Sequence, residues 1–204
     1  RSARTVTTSS VPPRRLTLAI HRRPNLWGSN AAYGFAIKKG DVDTMPSDIT
    51  VPGPPLVLTR NQPAEITLEN HLDEPTSIHW HGIELDSYYD GVAGFSGTVV
   101  NTTPEIAPGG SFVARFTPPR AGTFIYHTHS HDDHQLISGM YGAIVVLPPG
   151  ETFDPAIDHL VILGGTGQFD QTRPDLIPAA VNGTPNSMIT LKAGVANRLR
   201  LINI

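Results

Sequence analysis

The sequence predicts an all-β sandwich, and three observations support this fold class. Nineteen glycines and nineteen prolines lie between short apolar runs along the 204 residues, as turns do between strands. Several of these runs alternate apolar and polar residues, and no stretch has the periodicity of an amphipathic helix of three turns. The composition, 39% hydrophobic and 16% charged, is that of a globular protein with a sizeable core.

Strand signals follow one another along the first part of the chain. The clearest is Ala64–Asn70, where Ile66 and Leu68 alternate with polar residues, the pattern of a half-buried antiparallel strand. Residues 142–147 form a continuous apolar run, which predicts a fully buried strand. The other strands predicted here are 15–21, 33–38, 56–59, 77–83, 111–117 and 123–129.

Pro148-Pro149-Gly150 predicts a boundary between two domains, residues 1–150 and residues 151–204. In the second part we expect strands at 159–163, 188–191 and 197–203, with a turn at Val181-Asn182-Gly183. A sandwich of this kind needs about 100 residues, so we expect 151–204 to be the beginning of an incomplete second domain. The chain is therefore expected to be part of a longer protein.

The composition also excludes several classes of function. The formal net charge of -3 argues against a nucleic-acid partner, and no apolar run approaches the roughly 18 residues of a membrane span. The chain has no cysteine, which excludes disulfides, zinc–thiolate sites and thiol nucleophiles within it. A metal bound here must use nitrogen or oxygen ligands.

Two short motifs, His79-Trp80-His81-Gly82 and His127-Thr128-His129, each place imidazoles at positions i and i+2. On a β-strand this spacing sends both side chains to the same face. Two such strands could present four nitrogen ligands to one place, and imidazole ligation suits copper, zinc, iron or nickel. The residues alone therefore predict a β-sandwich with a multi-histidine metal site, without identifying the metal.

The other five histidines receive different interpretations. His21, His71 and His159 stand alone in the sequence and are expected to be structural or solvated. His131 and His134 lie in a polar Ser-His-Asp-Asp-His run just beyond the second motif. We expect them to be solvated or to support the ligands rather than to bind the metal.

The order of these motifs resembles the first cupredoxin domain of the laccase-like multicopper oxidases. After the first histidine motif come Asp90-Gly91, Pro108-Gly109, Tyr126-His127-Thr128-His129 and Gly139-Met140-Tyr141-Gly142. Before it, Pro52-Gly53-Pro54-Pro55 and Glu69-Asn70-His71-Leu72 stand where the family has a Pro-Gly-Pro turn and an Asn-x-Leu. The segment from Val181 through Arg198 to Asn203 resembles the opening of the family's second domain. The resemblance covers nearly all the chain after Arg15 and implies a cupredoxin-like Greek-key β-sandwich followed by an incomplete second cupredoxin domain.

The resemblance implies an oxidoreductase that couples one-electron oxidation of a reducing substrate to four-electron reduction of dioxygen to water. It implies a trinuclear copper cluster between the first and last cupredoxin domains. His79 would bind the type 2 copper, and His81, His127 and His129 the binuclear type 3 pair. Asp90 matches an acidic residue thought to assist proton delivery, although an Asp-Gly pair also reads as a simple turn. The oxidase activity of the family implies an extracytoplasmic location, periplasmic or secreted.

The chain departs from the family pattern in one respect. The type 1 copper site needs a cysteine, and the other trinuclear ligands come from histidine motifs of the last domain that do not occur here. We therefore expect the remaining cupredoxin domain or domains to supply both, and this chain alone to be inactive. The alternatives are a non-catalytic copper-binding module, a nitrite-reductase-like protein (disfavoured because its first domain needs a type 1 cysteine) and a purely structural sandwich. The reducing substrate is not predicted.

Overall fold

The computed structural model describes residues 11–28, 30–165, 167 and 179–204, and these residues are mostly in β-strands. The strands are β1 (Arg14–Trp27), β2 (Asn30–Ile37), β3 (Gly53–Thr59), β4 (Ala64–Asn70), β5 (Ile78–His81), β6 (Gly97–Thr98), β7 (Asn101–Thr102), β8 (Ser111–Phe116), β9 (Gly122–Thr128), β10 (Tyr141–Leu147), β11 (Asp158–Gly165), β12 (Ala179–Val181) and β13 (Arg198–Asn203). Short helical turns lie at Pro46–Asp48, Ser87–Tyr89 and Asp132–Leu136, the last of them a π-helical turn. No helix in the described residues is long and apolar enough to cross a membrane.

Two mixed four-stranded sheets face each other and form a sandwich. Their strand orders are β2–β1–β4–β8 and β3–β10–β9–β5. The pairs β1–β4 and β3–β10 run parallel, and the other neighbours in these sheets are antiparallel. The predicted all-β sandwich is confirmed.

The core between the sheets follows from the alternation in the sequence. In β4, every second residue from Ala64 to Asn70 is buried and those between are partly exposed, as predicted. Ile78 and Trp80 of β5 and Phe124 and Tyr126 of β9 enter the same core cluster. Because side chains alternate along a strand, burying these residues turns their neighbours on β5 and β9 to the outer face of the second sheet.

The third sheet, in the order β12–β11–β13, packs against part of that outer face. Tyr141 and Ala143 of β10 form a second apolar cluster with Ile162 of β11 and Ile202 of β13. Every residue of β10 is buried because both of its faces are covered, which explains the continuous apolar run in its sequence. Burial raises the pKa of Tyr141 to about 12, and its hydroxyl donates to the carbonyl of Gly165 at 3.2 Å.

The predicted strand at residues 188–191 is wrong. These residues form no strand, and Met188 and Leu191 are 90% and 54% exposed. The segment is mostly apolar, but none of the described strands pairs with it, so it does not join a sheet. The turn predicted at Val181-Asn182-Gly183 follows the end of β12, and β13 matches the predicted strand at 197–203 to within one residue.

His21 and His71 lie outside the metal motifs and stack on each other, with ring centroids 4.4 Å apart and planes inclined by 8°. His21 is buried, and its Nε2 lies 2.7 Å from Oγ1 of Thr44. Burial lowers the pKa of His21, and the nearby His71 lowers it further against the opposing effect of Asp48 and Glu69. The folded state therefore favours neutral His21, as expected for a structural residue.

We expect His21 to make the stability of the fold decrease as the pH is lowered. Because its pKa is below 6.5 in the folded state, its full contribution is present above 6.5 and is lost as the pH falls from 6.5 through the lowered folded-state value. His21→Phe keeps a flat ring against His71 without a titrating group. Urea unfolding at several pH values should show a steeper loss of stability for the natural chain than for this variant, and parallel curves would contradict the expectation.

Candidate metal centre

The two histidine motifs lie on neighbouring strands. β5 and β9 pair antiparallel, with His79 directly opposite His127 and Trp80 opposite Tyr126. Directly opposite residues of an antiparallel pair have side chains on the same face. The prediction that the paired histidines share one face, opposite their buried neighbours, is confirmed for β5 and β9.

The four predicted ligands form one cluster of rings. The ring centroids of His79, His81 and His127 are 5.3 to 5.7 Å apart, and one ligand atom from each lies within 4.8 Å of the others. His129 follows the end of β9 and is exposed, with its ring centroid 5.8 Å from that of His79 and 6.0 Å from that of His127. The structure thus brings three histidines within reach of one ion and places the fourth beside them.

Backbone carbonyls set the orientation of two rings. Nδ1 of His79 donates to the carbonyl of Asp90 at 2.7 Å, and Nδ1 of His127 donates to the carbonyl of Thr128 at 2.6 Å. A carbonyl can only accept, so in a neutral ring the proton lies on Nδ1 and Nε2 keeps its lone pair. Histidines that ligate metals are held in this way by hydrogen bonds to their other ring nitrogen.

Electrostatics also favour a metal-binding state. Burial lowers the pKa of His127, as do the neighbouring His79, His81 and His129, while the hydrogen bond to the Thr128 carbonyl opposes them. A lowered pKa keeps the ring neutral near neutral pH, and a neutral imidazole is the form that binds metal. A cluster of imidazole nitrogen donors without thiolate fits copper, as it fits zinc, iron or nickel.

Asp90 lies next to His79, but its carboxylate is not the nearest partner of the ring. Oδ1 of Asp90 is 3.5 Å from Nδ1 of His79, farther than the Asp90 carbonyl, and Oδ2 accepts from the hydroxyl of Ser96 at 2.8 Å. The following Gly91 has φ +89°, and an added Cβ would lie 1.8 Å from the carbonyl oxygen of Ile78. The Asp90-Gly91 turn is therefore pressed against the strand that carries the first histidine pair.

The loop that continues from Asp90 exposes a small apolar surface. Phe95, Val99 and Val100 are 87%, 102% and 94% exposed. They surround the two-stranded ribbon of β6 and β7.

Sequence reasoning missed a buried polar network behind the second histidine motif. It consists of Gln135, Thr76 and Thr128, and it reaches Glu74, whose carboxylate lies 2.9 and 3.0 Å from Nε2 of His134. The ring of His131 is 5.3 Å from that of His134. Nothing in the pattern of the sequence signals this network, because Gln135 lies on a π-helical turn, which is too short to show a periodicity.

The chain is similar in sequence to several known proteins. A family model described as multicopper oxidase matches residues 33–151. A copper resistance protein A homologue from Pseudomonas syringae pv. tomato is 39% identical over 124 residues, 60% of this chain and 20% of that protein. The multicopper oxidase MmcO of Mycobacterium tuberculosis is 35% identical over 122 residues, 60% of this chain and 22% of that protein.

Solved structures extend the similarity to most of the chain. The crystal structure of a multi-copper oxidase from Pseudomonas thermotolerans matches with a TM-score of 0.71 and 27% identity, over 95% of this chain and 47% of that one. The laccase from Botrytis aclada matches with a TM-score of 0.53 and 26% identity, over 76% and 26%. These likenesses confirm the cupredoxin-like fold. The chain spans about a fifth of the length of the curated relatives described above.

Proposed function

This chain belongs to the multicopper oxidase family, and we propose that it supplies one half of a trinuclear copper cluster in a larger oxidase. The observation that carries the proposal is the group of His79, His81 and His127 on the outer face of β5 and β9, with the ring of His129 beside them. Backbone carbonyls orient two of these rings, those of His79 and His127. His79 is the proposed ligand of the type 2 copper. His81, His127 and His129 are the proposed ligands of the type 3 pair.

Copper bound at such a site would transfer electrons, one at a time from a reducing substrate and four in all to dioxygen, which becomes water. The contribution of this chain is to hold the imidazoles in a fixed orientation. We propose that Asp90 assists proton delivery for this reduction, since its carboxylate is half-buried and its Oδ1 lies 3.5 Å from Nδ1 of His79. The periplasm or the exterior of the cell is the proposed location.

The other half of the cluster would come from the remaining cupredoxin domain or domains of the parent protein. In this proposal residues 1–150 are the first cupredoxin domain, and residues 151–204 begin the second. Two observations support a covering domain: His81 and His129 are exposed, and the loop that continues from Asp90 exposes Phe95, Val99 and Val100. A type 1 copper would also lie in that other part, because the chain has no cysteine to bind it.

A second candidate function is a copper-binding module without turnover. It is favoured by one observation, namely that three nitrogen ligands already lie within reach of one ion without any partner. The two candidates share the same ligands and differ in whether a partner completes the site.

Replacing His127 by alanine is expected to weaken copper binding by more than about 100-fold. Loss of a residue that only hydrogen-bonds a ligand costs about 10- to 100-fold, and this substitution removes a ligand itself. The measurement is a titration of the metal-free chain with cupric ion against a competing chelator. His159→Ala is the matched control. His159 lies on β11 of the third sheet, and its ring contacts Asn197 rather than the histidine cluster. Equal affinity in the two variants would contradict a metal role for His127.

Oxygen consumption distinguishes the two functions. The parent oxidase should consume dioxygen with at least one of a panel of electron donors that includes phenols and metal ions, and its His127→Ala variant should consume it with none. The 204-residue chain loaded with copper should show no turnover. Sustained turnover by this chain alone would contradict the half-cluster proposal, and copper binding by a parent without oxidase activity would favour the binding module.

A further inference from the structure

The side chain of Gln135 is fully buried, and both the oxygen and the nitrogen of its amide form hydrogen bonds. Oε1 lies 2.8 Å from the hydroxyl of Thr76 and 2.9 Å from that of Thr128. Nε2 donates to Oε1 of Glu74 at 2.9 Å and to the carbonyl of Pro75 at 3.1 Å. A primary amide has two donor hydrogens and two acceptor positions, and all four have partners here.

Glu74 determines which way this amide faces. A carboxylate accepts hydrogen bonds and cannot donate them, so the nitrogen of Gln135 must face Glu74. The oxygen of the amide must then face the two threonines. The same carboxylate lies against Nε2 of His134, so Glu74 is itself held in place from a second side.

Thr128 connects Gln135 to the metal centre. It is the residue between His127 and His129, and its carbonyl accepts the Nδ1 proton of His127 at 2.6 Å. Its hydroxyl has one hydrogen, which it shares between two acceptors at 2.9 Å, Oε1 of Gln135 and the carbonyl of Ser130. The same hydroxyl accepts from the amide of Ser130 at 3.2 Å. The rotamer of Thr128, and with it the local backbone, is therefore fixed from the side opposite the histidines.

We propose that Gln135 is a positioning residue of the metal centre. By holding Thr128, it keeps the Thr128 carbonyl in line with Nδ1 of His127, so that Nε2 remains the metal-binding nitrogen. The π-helical turn Asp132–Leu136 delivers the amide to this place, and insertions of this kind are frequent at functional sites. An effect of Gln135 on copper affinity rests on the proposed function, in which His127 binds copper. Its effect on the tautomer of His127 does not depend on that role.

The test compares Gln135→Met, which keeps the approximate shape and removes all four hydrogen bonds, with Tyr126→Phe. Tyr126 lies next to His127 on the same strand, but its side chain is in the core, where its hydroxyl donates to the carbonyl of Pro54 at 2.7 Å. Both variants lose buried hydrogen bonds, and only the first loses those that hold Thr128. Three quantities are measured: the urea midpoint, the affinity for cupric ion against a competing chelator, and the imidazole nitrogen chemical shifts of metal-free His127.

We expect Gln135→Met to lower the cupric affinity of the folded chain by about 10- to 100-fold, the cost of losing an outer-shell partner. The nitrogen shifts of His127 should move toward a mixture of the two neutral tautomers. Tyr126→Phe should lower the urea midpoint and leave both the affinity and the shifts unchanged. Unchanged affinity and unchanged shifts in a folded Gln135→Met chain would overturn the inference.

A reciprocal exchange covers the case in which Gln135→Met does not fold. Gln135→Glu keeps an oxygen facing the threonines but places a carboxylate against Glu74, so it should weaken copper binding. Adding Glu74→Gln restores a hydrogen bond between these two side chains with the donor reversed, and it should recover at least part of the affinity. No recovery in a folded double variant would overturn the inference. If the natural chain binds no copper, the proposed function fails, while the tautomer measurement on the metal-free protein still decides the role of Gln135.

Discussion

Replacing Gly91 by alanine is expected to lower the free energy of unfolding by at least about 3 kcal/mol and to weaken copper binding at the same time. The methyl group would meet the backbone of Ile78, with the carbonyl oxygen at 1.8 Å and the carbon at 2.5 Å, and the residue has φ +89°. Backbone atoms of a paired strand cannot move aside as a flexible side chain can. The Asp90 carbonyl that orients His79 would be displaced with the turn.

Gly94 offers a matched control in the same loop. It also has a positive φ, +72°, but an added Cβ would have no neighbour within 4 Å. Gly94→Ala should therefore cost only the strain of the left-handed backbone, about 1–2 kcal/mol, and leave the cupric affinity unchanged. Urea unfolding and copper titration of both variants measure the difference. Similar losses in the two would mean that Gly91 is not pressed against the histidine strand.

Replacing Asp158 by alanine is expected to cost roughly 3–5 kcal/mol, because it leaves a buried guanidinium without its carboxylate. Arg200 donates from Nε and Nη2 to the two oxygens of Asp158 at 2.6 and 2.8 Å, and both side chains are less than 10% exposed. Nη1 of the same arginine donates to the hydroxyl of Thr123 on β9 at 2.9 Å. The ion pair thus joins the third sheet to the strand that carries the second histidine motif.

The exposed pair of Glu84 and Arg120 is the control for this prediction. Its atoms are equally close, at 2.8 Å, but the two side chains are 61% and 52% exposed. Glu84→Ala should change the stability by no more than about 1 kcal/mol, as measured by thermal or urea unfolding. A similarly small loss for Asp158→Ala would show that the third sheet is not anchored by this ion pair. Replacing both Asp158 and Arg200 by apolar residues should cost much less than the single substitution.

The sequence predicts those parts of the fold in which one local rule decides the outcome. The alternation in β4 fixes which residues are buried, because the period of a strand is two and one face meets the core. The same rule predicts the outward direction of His79 and His127. The continuous apolar run of β10 predicts a strand buried on both faces, but it does not identify the third sheet as the cover, since that contact depends on residues far along the chain.

The site is predictable only as far as its residue types are distinctive. Paired histidines stand out because imidazoles at i and i+2 have a clear chemical use. Asp90 was expected to act through its carboxylate, yet the atom closest to His79 is its backbone carbonyl, which every residue possesses. Gln135 has no distinctive neighbours in the sequence, and its role depends on a π-helical turn and on Glu74, which lies on a different segment. The apolar pattern at 188–191 misleads because a strand needs a partner as well as a pattern.

The pairing of the second sheet has a consequence for how the proposed metal site is assembled. β5 pairs with β9, and β3 pairs with β10, so that Leu56 contacts Ile144 across a long stretch of sequence. Such pairings form slowly, since a long loop must close before any contact is gained. During synthesis His79 and His81 leave the ribosome well before the strands that hold them in place. We therefore expect the imidazoles of the two motifs to meet late in folding. The proposed copper would then bind a site that the sandwich has already built, unlike the ion of a small zinc domain, which drives the folding itself.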